Sequence, residues 1–277
     1  MARFFFALLR IISEEDLHPF QITFLFTLFS LFFVSIWVLK SKDGISSLKT
    51  KKTPLFALRG ILELSGFLLS MYSIKFIPLP AFSALGFINP ILTAILAIFL
   101  LREKSDRHDW IALFGGFIGV MIIIRPSGEG LEFEAIYRVL SMVFFAFCGI
   151  VIKKLTKTES VIKIVFYDII FFTIFSAPLA FIYWKEVSLS NWGILGTIGL
   201  LAFLMQILIS KAFHKADVTK LMPFYFVELV FSSVIAYFVF DEIITVWTAI
   251  GAVIIMKSVI YCGYKSKQNK TPPSPII

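Results

Sequence analysis

The chain has 277 residues, of which 58% are hydrophobic and only 16% charged, with a mean hydropathy of +0.90; soluble domains run at about 45–50% apolar and about 25% charged. The apolar excess falls in long recurring blocks, which excludes a soluble globular domain, and the blocks are too uniform for the alternating strands of an outer-membrane barrel. The net charge of +8 sits in alternate loops with no basic patch among exposed aromatics, so it reads as a membrane-orientation signal and excludes a nucleic-acid footprint.

Residues 1–12 (MARFFFALLRII) are apolar but carry Arg3 and Arg10. At about 1.5 Å per residue they reach about 18 Å, short of the roughly 30 Å hydrocarbon core. No small-residue cleavage site follows, as a secretory signal would need, and the stretch reads as the C-terminal half of a first helix, short or truncated. Spans two and three cover residues 18–39 and 55–77, separated by a basic loop with Lys40, Lys42, Lys49, Lys51 and Lys52. The fourth, residues 81–101, is free of charge over the roughly 20 residues that one crossing needs and stops on Arg102, Glu103 and Lys104. Small residues lie early in it, where a second helix can come close. Asn89-Pro90 near its middle predicts a kink, because proline lacks a backbone donor and crowds the preceding turn.

The fifth span is 110–124, with GGFIG for close packing; then come 135–152, 161–184, 192–213, 220–240 and 246–264. The tail from residue 265 onward is polar and Pro-rich, the composition of a disordered segment. Cys148 and Cys262 lie inside predicted helices without metal or redox spacing and read as small packing residues. Basic residues cluster in the loops 40–52, 102–107, 153–163, 211–220 and 265–270, while Glu14, Glu15, Asp16, the glutamates of 129–134, Asp241 and Glu242 fall on the other side. With the N-terminal fragment counted as a span, this gives about ten crossings and both termini in the cytoplasm.

Spans three to five lie on spans eight to ten: Glu103 aligns with Glu242, Lys75 with His214, Ala84 with Pro223 and Asn89 with Glu228, and Trp110 and Trp247 open the next helix in each half. About five crossings per half puts the halves in opposite orientations, the inverted-repeat plan of transporters with a site at mid-membrane where the halves meet. The expected fold is therefore all-α and membrane-spanning, with repeats over 1–134 and 135–264 and a disordered tail at 265–277.

The motif residues are Pro78-Leu79, Ala84-Leu85, Pro90, Arg102-Glu103, Trp110, Gly115-Gly116 and Gly119. In that spacing they resemble the EamA branch of the drug/metabolite transporter superfamily. Within that branch the second half is similar to S-adenosylmethionine uptake transporters of intracellular bacteria, over residues 153–170, 210–242 and 251–255. The likeness implies a bacterial inner-membrane, multi-pass carrier of a small polar metabolite, with exchange against the demethylated product as an implied energy source. Exporters of amino acids or drugs share the fold and are the alternative.

An ionisable side chain at mid-membrane costs about 2.5–3.5 kcal/mol, so Glu63, Asp168 and Glu228 should face a cavity or a partner. Glu228 and its repeat counterpart Asn89 are expected to line the central site; the alternative is a structural pair of Glu228 with Lys257 or Arg138. Tyr72, Tyr167, Phe224 and Tyr225 are placed near the cavity, with Tyr225 and Glu228 on one helix face to supply an aromatic ring and a carboxylate to a cation. Glu63, nearer the cytoplasmic end, is one turn from Arg59 and able to pair with it. Tyr167-Asp168 is the local pattern of an intramembrane aspartyl protease, but the second aspartate of such a dyad is missing. His18, His108 and His214 show no metal spacing and form no Ser-His-Asp set. No Walker sequence is present. The reading is a transporter, not an enzyme, with no metal or cofactor; its partners are a small-molecule substrate and membrane lipid.

Overall fold

The computed structural model describes residues 17–73, 76, 79–125, 135–240 and 246–268. Among them there is no strand, and the helices are α1 (Pro19–Leu39), α2 (Thr53–Ser73), α3 (Leu79–Gly86), α4 (Asn89–Leu101), α5 (Arg107–Ile124), α6 (Ala135–Thr156), α7 (Val161–Ile182), α8 (Leu189–Lys215), α9 (Val218–Tyr225), α10 (Val227–Phe240) and α11 (Val246–Gln268), with a short 3-10 turn at Gly44–Leu48. A helix satisfies its own backbone in lipid, which is why uniformly apolar segments fold this way. Among the described residues, eight helical stretches are long and apolar enough to cross a membrane. Large apolar side chains such as Phe32, Phe99, Leu208 and Ile260 stand exposed on them, as a lipid-facing surface requires. The expected first span (1–12), the acidic residues at 14–16, 129–134 and 241–242, and the tail beyond Gln268 lie outside the described residues. The last helix runs past the expected end at Tyr264, so residues 265–268 are helical.

Two expected single spans are each two helices. The fourth does more than kink: it breaks at Phe87 and Ile88, whose amides bond to Ala84 O and Leu85 O at 3.1 Å each before α4 begins. Pro90 has no N–H to return to the carbonyl of Gly86, so the α-ladder cannot run through. The ninth breaks at Phe226, whose amide reaches back to Pro223 O at 3.4 Å. In the register that aligns Asn89 with Glu228, Phe87 falls on Phe226. The two halves thus break at the same place, and the two rings meet with centroids 6.1 Å apart. Breaks at corresponding positions of two halves are the pattern of discontinuous transporter helices.

The chain forms two compact units, and each draws on both halves of the sequence. One comprises Met1–Leu68 and Phe147–Lys215, the other Leu69–Ala146 and Ala216–Ile277. In the first, α1 packs along α7, and α8 lies against both. Phe24 near the start of α1 meets Phe181 near the end of α7, while Val34 clusters with Val165 near the start of α7, so the pair is antiparallel. Gly199 of α8 lets α1 come close: Ser30 Oγ donates to Gly199 O at 2.8 Å, and a Cβ on Gly199 would lie 2.7 Å from Phe26 O.

The second unit is built on α5 and α11, also antiparallel. His108 meets Tyr261 at one end and the Arg125 guanidinium lies 4.1 Å over the Trp247 ring at the other. In both units a helix pairs with the helix at the same position of the other half. Between lipid-exposed helices there is no hydrophobic drive, so association depends on close van der Waals approach at small residues. Gly119 and Gly251 provide it: a Cβ on Gly251 would lie 2.5 Å from Gly119 O and 2.5 Å from Ile123 Cγ1. Replacing Gly251 with valine should therefore push α5 and α11 apart and cost about 1–3 kcal/mol, read as a lower unfolding temperature of the detergent-solubilised protein; an unchanged transition would contradict this contact.

Candidate functional site

Three charges meet inside the first unit. Arg59 and Glu63 lie one turn apart on α2, with Arg59 Nη1 3.7 Å from Glu63 Oε2, the pairing expected from their spacing. The same Nη1 is ion-paired with Asp168 of α7. Arg59 and Asp168 are only 6% and 4% exposed, whereas the Glu63 side chain keeps 25% of its surface. One cation against two carboxylates leaves a net charge of −1. Charges about 4 Å apart interact by about 4 kcal/mol at an effective dielectric near 20, so the arrangement favours a second positive charge beside Glu63. Glu63 stands at the middle of α2, about 15 Å from either end, deeper than its expected place toward one end of the span.

Both carboxylates face a cavity of about 180 Å³ whose wall also includes Phe26, Thr27, Ser30, Phe172 and Gln206. Small-molecule pockets run to about 300–1,000 Å³, so this one has the size for the charged end of a metabolite. The aromatic rings and the net negative charge both suit a cation.

Tyr167, next to Asp168, turns elsewhere: its ring stacks on Phe56 with centroids 4.7 Å apart and its hydroxyl donates to Leu48 O at 3.1 Å, tying α7 to the 3-10 turn. The other expected site residues belong to the second unit. Asn89 opens α4, and its Nδ2 donates to Met142 O at 3.1 Å. Glu228 sits in the first turn of α10, where the helix dipole favours a carboxylate. The aligned polar residues of the two halves therefore occupy the same structural position, the first turn after a break. Tyr225 is the last residue of α9 and part-exposed. Tyr72 packs edge-on against Tyr137 with centroids 5.0 Å apart. Arg138, considered as a partner of Glu228, donates to Ser70 Oγ at 2.6 Å and to Phe82 O at 3.2 Å, with its guanidinium 3.7 Å over the Phe82 ring. Glu103 of the Arg-Glu motif accepts from Val218 N and Thr219 N, each at 3.1 Å, and so caps α9.

Residues 2–125 and 133–263 each match the EamA-like transporter family. The chain belongs to the EamA-like transporter family. Among its relatives, the S-adenosylmethionine uptake transporter of Rickettsia bellii is 34% identical over 91% of this chain and 86% of its own length. That of Rickettsia prowazekii is 31% identical over 91% and 85%. The pseudopaline exporter CntI of Pseudomonas aeruginosa is 25% identical over 85% and 82%. A crystal structure of a protein 15% identical superposes with a TM-score of 0.80 over 97% of this chain and 96% of that one, a likeness of fold alone.

This EamA-like transporter is a multi-pass membrane protein with two family repeats. Sequence reasoning missed Gln206 of the cavity wall and the link from Arg59 to Asp168 behind it. Arg59 was legible only as a neighbour of Glu63, because its contact with Asp168 joins residues far apart in the chain. Gln206 carried one usable signal, a lone amide within an otherwise apolar stretch of α8.

Proposed function

We propose that this EamA-like transporter is a secondary carrier of the bacterial inner membrane that takes up S-adenosylmethionine, with both termini in the cytoplasm and two inverted repeats moving by alternating access. The observation that carries the reading is the cluster of Arg59, Glu63 and Asp168, one cation against two carboxylates, with both carboxylates lining the cavity. S-adenosylmethionine carries a sulfonium and an ammonium, and the Rickettsia relatives named for its uptake support the assignment. Its demethylated product is a neutral thioether at the same sulfur. The carboxylates would hold it less tightly, which suits exchange of one for the other without a nucleotide site. Asn89 and Glu228 at the helix breaks, with Tyr225 and Tyr72, are the further residues assigned to substrate handling.

Binding tests the reading directly. S-adenosylmethionine should raise the unfolding temperature of the purified protein, and the demethylated product should raise it less. A shift with an amino acid from a panel, and none with these two, would overturn the substrate. Export on the same fold is the second reading, favoured by the likeness to an exporter. Right-side-out vesicles that accumulate labelled S-adenosylmethionine would decide for uptake.

A further inference from the structure

Gln206 of α8 shares the cavity wall with Glu63 and Asp168. The hydroxyl groups there are committed, and the two carboxylates can only accept. The Ser30 hydroxyl is directed at Phe26 O and Gly199 O, at 3.0 and 2.8 Å. The Thr27 hydroxyl donates to Phe24 O at 2.9 Å, and Asp168 is paired with Arg59. The Gln206 carboxamide makes no hydrogen bond to another described residue. The carboxamide lines the cavity and offers both a donor and an acceptor to a bound molecule. The rest of the wall does not discriminate between cations. Phe26 and Phe172 are aromatic and suit any cation, and Glu63 attracts any positive charge. A site that hydrogen-bonds its ligand rejects analogues lacking the bonding group, because its own polar atoms are then left unpaired.

We infer that Gln206 is a specificity-determining residue, which selects organic cations bearing hydrogen-bonding groups beside the charge over alkylammonium ions. The inference rests on the reading that this cavity receives the cationic end of the substrate. S-adenosylmethionine fits the favoured class, with sugar hydroxyls and an amino-acid end on either side of its sulfonium; tetrapropylammonium has the charge alone.

The test compares both ligands on the purified full chain by thermal shift. Q206L should raise the concentration of S-adenosylmethionine needed for half-maximal protection about three- to tenfold, the equivalent of one neutral hydrogen bond, and leave tetrapropylammonium unchanged or tighter. Q206A, which adds no bulk, should shift the ligands in the same direction and serves if Q206L does not fold. Parallel weakening of both ligands, or no change in either, overturns the inference. The E63Q variant separates the two levels. If it weakens both ligands while Q206 variants change neither, only the role of Gln206 falls. If it weakens neither, the cavity reading falls and this inference with it.

Discussion

Replacing Glu63 with glutamine should lower the efficiency of S-adenosylmethionine uptake by about tenfold to a hundredfold, with little loss of stability. Glutamine keeps the shape and removes one negative charge. The cluster then holds Arg59 and Asp168 alone and is neutral, so its pull on an incoming cation disappears. Interactions of hydrogen-bonding partners with a charged group contribute about 1.5–3 kcal/mol, and each 1.4 kcal/mol is about tenfold in affinity. Stability should change little because Glu63 is the outer member of the cluster. It is part-exposed, its Oε2 makes no hydrogen bond, and it lies 3.7 Å from Arg59. Initial rates in proteoliposomes, measured beside the unfolding temperature of the same preparation, check both halves of the expectation. Wild-type uptake by E63Q would remove the charged cavity from the transport path.

Arg59 should behave in the opposite way. In R59L, Asp168 remains 4% exposed and loses its only described ion-pair partner. Removing one partner of a buried ion pair costs about 3–5 kcal/mol, because the other charge stays uncompensated. R59L should therefore unfold at a clearly lower temperature or fail to accumulate. Changing Asp168 to asparagine in the same chain should restore most of the loss, since a neutral amide is far cheaper to bury than a charge. Uptake should not return with it. The double variant keeps Glu63 but lacks the fixed ion pair that holds α2 and α7 together beside the cavity. A stable R59L would show that the pair does not hold these helices, and an R59L/D168N no better than R59L would show that the loss does not come from an uncompensated Asp168.

Length, hydropathy and loop composition were enough to determine from the sequence that the chain is a helical membrane protein with two family repeats, and where most of its long helices lie. Lipid permits few backbone solutions, so a long apolar run has one outcome. The likeness to the EamA branch was legible for the same reason, in residues the backbone needs: Pro90 where the helix breaks, Gly119 where α5 and α11 touch, and Glu103 where α9 is capped. Tertiary structure alone decided which polar side chains share a cavity. Glu63, Asp168 and Gln206 come from α2, α7 and α8 and meet only through packing, while Tyr167, adjacent to Asp168 in sequence, turns to Leu48. A helix apolar all round carries no pattern to mark its inner face. Its rotation is set by where partner helices approach closely and where charges find one another, as at Gly199 and Ser30 or at Arg59 and Asp168.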